Sequence, residues 1–196
     1  MDERFMATKI CNKLVSEQII SEKDFDVYVY AYEITLSETF NILGITLLSL
    51  IFGKIWLSLI FLLSFVPQRV HMGGYHASSH LKCHCVSFGI FIACVMLSQI
   101  IADTKTFRII TLLIVFITAL FLAPVEANNK KLDKRCRYRN KIAAVALIIP
   151  DMLIVSFDLF LHSQFMGFYF LTKWFVILLV FIPVLQKPIK RLCGSR

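Results

Sequence analysis

Residues 165–186 read Phe-Met-Gly-Phe-Tyr-Phe-Leu-Thr-Lys-Trp-Phe-Val-Ile-Leu-Leu-Val-Phe-Ile-Pro-Val-Leu-Gln, an apolar run whose only formal charge is Lys173. A hydrocarbon layer about 30 Å thick is crossed by roughly 20 apolar residues of α-helix. The run therefore predicts a membrane-spanning helix. Five more candidates lie at 36–52, 55–67, 84–101, 107–124 and 142–161. The first two are short and separated only by Gly53 and Lys54. A tight helical hairpin fits them better than one helix of about 30 residues, which is too long for a single span at ordinary tilt. The composition agrees: 58% of the 196 residues are hydrophobic and 18 are Phe, against 7 Gly and 5 Pro. That is too apolar for a solvated surface and too poor in turn residues for a β-rich fold. The reading is an all-α, polytopic integral membrane bundle of about six transmembrane helices.

Charge orients the bundle. With both termini inside, only Lys54, Lys105, Arg108 and Lys173 of the 21 Lys and Arg fall on outer or intramembrane positions. That asymmetry predicts the N-in, C-in arrangement. The net charge of +8 then reflects topology and contact with anionic membrane lipid rather than nucleic acid. The six cysteines show no secreted disulfide spacing, and most lie where thiols stay reduced. Lys173 reads as a boundary residue that snorkels outward. Asp151 and Asp158 share a face of the fifth span.

Residues 1–35 form a cytoplasmic or interfacial segment, and 36–196 the six-helix domain. Within the former, 4–20 reads as an amphipathic helix. Ala7, Ile10, Cys11, Leu14 and Val15 make one stripe, opposite Lys9, Asn12, Lys13 and Ser16. Ser21-Glu22-Lys23-Asp24 has the hydroxyl and the acidic residue three places on of a helix start. A basic cytoplasmic loop at 125–141 follows the fourth span.

Chemistry concentrates in the loop 67–87, between the second and third spans. It holds four of the five histidines (His71, His76, His80 and His84), with Cys83, Cys85 and the Gly73-Gly74 pair. Polar groups at a membrane boundary are costly unless they serve something. Two chemistries compete. One is nucleophilic catalysis, with a Cys attacking and a His as its base; Arg69 and Lys82 would add a cationic field. The other is zinc: His76, His80 and His84 recur every four residues, and with a Cys could make a tetrahedral site. The first makes a thiol hydrolase. The second makes a zinc-binding membrane hydrolase or a transporter, and a peptide transporter without catalysis is a third class. No nucleotide-binding loop is present to drive transport.

The pattern Arg69-x3-Gly73-Gly74-x-His76-Ala77-x5-Cys83-x3-Ser87 resembles the signature of the accessory gene regulator B (AgrB) family. These are bacterial membrane peptidases that process quorum-sensing propeptides. The charged N-terminus, the length and the basic loop after Ala123-Pro124-Val125-Glu126 are similar too, so the resemblance covers essentially the whole chain. It implies Cys83 as nucleophile and His76 as general base, with Arg69 and Gly74 at required positions. It implies a cysteine endopeptidase in the bacterial cell membrane, with its site near the cytoplasmic face and no cofactor or metal. The partner it implies is an AgrD-type propeptide, which is cut and closed to a thiolactone or lactone. A homodimer is also what the resemblance suggests. His80, His84 and Cys85 are extra candidates by residue type, and only the family spacing selects His76 with Cys83.

That spacing carries a physical constraint. Seven residues of straight helix rise about 10.5 Å, whereas a His–Cys hydrogen bond needs roughly 3 Å. Helix must therefore break between the two, with Cys83 near the start of the third span. Gly73 and Gly74 would let backbone approach a peptide closely. Arg69 would serve an oxyanion or a carboxylate, or simply anchor the inner face. Ser87, one turn beyond Cys83, would orient it or merely pack.

Overall fold

The computed structural model describes residues 3–75, 79–101, 104–125, 133–156 and 163–193. Among them the secondary structure is helical, with short connections and one isolated parallel bridge between Gly73 and Val125. The helices are α1 (Glu3–Ser16), α2 (Phe25–Ile51), α3 (Ile55–Met72), α4 (His80–Leu97), α5 (Lys105–Phe121), α6 (Lys134–Ala146), α7 (Ile148–Ser156) and α8 (Ser163–Cys193). A 3-10 turn, Glu22–Asp24, precedes α2.

Among the described residues four segments are long and apolar enough to cross a membrane: Glu22–Ile51, Ile55–Met72, His80–Leu97 and Phe165–Leu185. This is a multi-pass membrane protein. The fourth expected run appears as α5, of 17 residues. The fifth is divided at Leu147 into α6 and α7. Pro150 explains the division: it has no N–H for the Ala146 carbonyl, the last residue of α6, and its ring crowds that carbonyl. Asp158 lies outside the described residues.

The N-terminal segment differs from expectation at both ends. α1 stops at Ser16, because Gln18 turns left-handed (φ 57°). The Gln18 and Ile19 amides then donate back to the Val15 and Leu14 carbonyls, each at 2.9 Å. That pair of bonds is a Schellman stop. Ser21 caps the next turn as expected, accepting from the Lys23 amide at 3.3 Å. α2 begins at Phe25, so residues 25–35 are continuous in helix with the first long apolar run. Ala7 and Cys11 of α1 are fully buried against α2 at Val29.

α3, α4 and α8 form the centre. Phe61 stacks on Phe65 (ring centroids 4.8 Å apart) and meets Phe91 edge-on at 5.4 Å; Phe91 meets Phe168 at 6.0 Å. α2 closes on α4 at Gly44, where any Cβ would collide with the Phe88 ring.

Lys173 is not a snorkelling boundary residue. It is 3% exposed and its Nζ lies 3.0 Å from Asp151 Oδ1, itself 1% exposed. Tyr169 donates its hydroxyl to the same carboxylate, and Gln68 Nε2 reaches Oδ2 at 3.5 Å. The ammonium also contacts the Ser64 carbonyl at 3.5 Å and the Tyr169 ring at 4.7 Å. A charge inside a membrane bundle persists when it is paired and hydrogen-bonded. Here the counter-charge comes from α7, a partnership that no local pattern announces.

Candidate active site

The expected loop 67–87 is mostly helix. Residues 67–72 end α3, 80–87 begin α4, and only 73–79 connect them. Regular helix does break before Cys83, as the spacing requires. His76 and Ala77 lie outside the described residues, as do Glu126, Lys130 and Lys131 of the basic loop.

The end of α3 is built by Arg69 and two glycines. The Gly73 amide closes the last turn on the Arg69 carbonyl at 3.2 Å, while Arg69 Nη1 reaches forward to the Gly73 carbonyl at 2.5 Å. Gly73 (φ 71°) and Gly74 (φ 112°) both occupy conformations that side chains disfavour. Space is as restrictive as angle. A Cβ on Gly73 would collide with the Val125 carbonyl; one on Gly74 would lie 2.6 Å from the Leu179 carbonyl and 2.9 Å from Arg69 Nη1.

Backbone bonds hold this turn from two sides. The Val125 amide donates to the Met72 carbonyl (2.9 Å), and the Gly74 amide to the Val125 carbonyl (3.1 Å). On the other side the Tyr75 amide donates to the Leu179 carbonyl of α8 at 2.7 Å. The glycines thus bring the chain against two neighbouring backbones, and the residue after Tyr75 in sequence is His76.

Cys83 stands at the start of α4. Ser79 caps that helix, its hydroxyl accepting from the Lys82 amide at 3.4 Å, and the Cys83 amide closes the first turn on the Ser79 carbonyl at 3.1 Å. Cys83 is half-buried and lines a small cavity with Arg69, Tyr75, Ser87, Phe65 and Leu179. Of the supporting candidates, Arg69 and the buried Ser87 line this space, whereas Gly73 and Gly74 do not line it and instead pack against Val125, Leu179 and Arg69. Cys85 is exposed and does not line it; residues two apart on a helix point about 200° apart. Cys11 is fully buried in α1, where it packs against α2 rather than lining this cavity.

The extra histidines are engaged elsewhere. His80 Nε2 lies 2.9 Å from Glu33 Oε1, and its Nδ1 lies 3.0 Å from the Ser37 hydroxyl. His84 Nε2 lies 3.4 Å from that hydroxyl and 3.5 Å from Glu3 Oε1. His71 Nδ1 approaches Asn140 of α6 at 3.4 Å. His80 therefore ties the start of α4 to α2, and His84 ties it to both α1 and α2. Among the described residues no group of three or more His, Cys, Asp and Glu is arranged to hold a metal ion. Sequence reasoning missed Val125 and Leu179, which hold the glycine turn, and Glu33 and Ser37, which engage His80, all from distant elements.

Fold and site together define a polytopic membrane protein with a thiol at a helix start that shares a small cavity with an arginine. The family model for accessory gene regulator B matches residues 7–186. The chain belongs to the AgrB family, whose members take part in processing the propeptide of agr quorum sensing. A comparison with curated proteins gave no match, and neither did one with solved structures.

Proposed function

We propose that the chain is a membrane-embedded cysteine endopeptidase that removes the C-terminal tail of an AgrD-type propeptide and cyclises what remains. The observation that carries this reading is the small cavity that Cys83 shares with Arg69 and with Tyr75, the residue after the Gly73–Gly74 turn. Of the two cysteines in the motif region, Cys83 alone lines it.

The Cys83 sulfur attacks the backbone carbonyl before the tail, with His76 accepting the thiol proton. An S–C bond forms, the C–N bond breaks, and the leaving amine takes the proton from the imidazolium. The thioester is then attacked by an internal Cys or Ser of the peptide, whose proton passes to His76. Cys83 leaves, and a thiolactone or lactone ring is closed. Arg69 Nη1, already on the Gly73 carbonyl, is placed to stabilise an oxyanion or hold a carboxylate near the thiol. The apolar cavity walls, Phe65 and Leu179, disfavour water as a competing acceptor.

In this reading the six apolar runs cross the bacterial cell membrane with both ends inside. α1 lies along the inner surface with Ala7 and Cys11 turned to the bundle. Membrane lipid surrounds the exposed apolar faces, and two copies associate. Processing of a co-expressed propeptide tests the assignment. Cys83→Ala abolishes tail release, and Cys85→Ala retains it. The reverse pattern, or stoichiometric zinc with activity that resists thiol alkylation and yields to a chelator, overturns it.

A further inference from the structure

The α8 backbone carries a defect where the glycine turn docks. In a regular helix the Leu179 carbonyl would accept from the amide of residue 183. Residue 183 is a proline, which has no N–H and cannot make that bond. Leu179 is 6% exposed, so water does not readily compensate its carbonyl. The Tyr75 amide fills the place at 2.7 Å, and Gly74 passes close enough that a Cβ would lie 2.6 Å from the same oxygen.

We infer that Pro183 is a positioning residue: by leaving the Leu179 carbonyl unused within α8, it creates the acceptor that fixes the backbone at Tyr75, one residue before His76. This rests on the peptidase reading proposed above, in which the chain segment after Gly74 must present a base to Cys83. An ordinary residue at 183 would supply an N–H directed at Leu179 and compete with Tyr75 for it. Packing alone does not predict this. Replacing an interior proline by alanine favours helix, so a purely structural role predicts a firmer α8 and unimpaired processing.

The experiment compares Pro183→Ala with the unaltered full chain in lipid nanodiscs, using a synthetic propeptide and amide hydrogen exchange. Pro183→Ala lowers kcat about fivefold, the scale of one backbone hydrogen bond, with KM within about twofold. It speeds exchange at the Tyr75 amide by a similar factor. Lactic acid incorporated at position 183, an alanine analogue without the N–H, restores both. Pro188→Ala, further along α8, leaves both unchanged. Pro183→Ser carries the same N–H and serves if Pro183→Ala does not accumulate. Wild-type kcat and wild-type Tyr75 protection in Pro183→Ala overturn the inference, as does a lactic acid variant as impaired as the alanine one. Cys83→Ala is run in parallel. If it still processes, the peptidase reading fails, and Tyr75 exchange alone then decides whether Pro183 shapes the turn. If it is inactive while Pro183→Ala is normal, the positioning inference fails and the reading stands.

Discussion

Replacing Lys173 with Met removes an ammonium 3.0 Å from Asp151 while keeping most of the apolar volume. At that separation and an effective dielectric of roughly 20, the Coulomb attraction is about 5.5 kcal/mol. Desolvation of both ions offsets much of it, so the net value of the intact pair is small. Breaking the pair is different, because the remaining charge stays buried. Asp151 would keep the Tyr169 hydroxyl and a long contact to Gln68, which puts the loss for Lys173→Met near the lower end of the usual range, about 3 kcal/mol. In Asp151→Leu the ammonium keeps the Ser64 carbonyl at 3.5 Å and the Tyr169 ring. Those are poorer substitutes for a carboxylate, and the expected loss is about 4 kcal/mol. The double variant Asp151→Leu/Lys173→Met strands neither charge and should fall within about 1.5 kcal/mol of wild type. SDS-driven unfolding in mixed micelles measures all three, and the cycle yields the coupling. Single variants that each cost under about 1 kcal/mol, or a double variant as weak as the sum of both, would refute the reasoning.

Gly74→Ala places a methyl against the Leu179 carbonyl and Arg69 Nη1 at a φ of 112°. We expect at least tenfold loss of processing; Gly53→Ala, with positive φ but nothing within 4 Å, costs about 1 kcal/mol of stability and leaves processing intact. Ser37→Ala removes the hydroxyl shared by His80 and His84. It should lower stability by about 1–2 kcal/mol and quicken maleimide labelling of Cys83, since both histidines flank it at the start of α4; unchanged labelling would show that this polar cluster does not hold that turn.

Four of the six expected spans were legible because hydropathy is a local property, and Phe165–Leu185 announces itself without reference to any neighbour. The break between α3 and α4 was legible too, since seven helical residues cannot bring Cys83 within reach of His76. What stayed hidden is long-range pairing. Lys173 reads as a boundary lysine until Asp151 is beside it, and Asp151 lies on a helix that Pro150 has separated from its predecessor. His80 and His84 resemble zinc ligands by spacing, yet Glu33, Ser37 and Glu3 from α1 and α2 engage them. The glycine pair suggested close approach without saying to what; Val125 and Leu179 are the answer. A signal for the second existed: Pro183 stands four residues after Leu179.

The central claim is that the Cys83 sulfur becomes bonded to the propeptide. The direct measurement uses a propeptide whose internal nucleophile is replaced by alanine, so that the ring cannot close. After acid quench, intact-mass spectrometry and peptide mapping should find the truncated peptide as a thioester on Cys83. Hydroxylamine should release it, and Cys83→Ala should not form it. Release of the tail with no adduct on any cysteine, or an adduct on Cys85, contradicts the account.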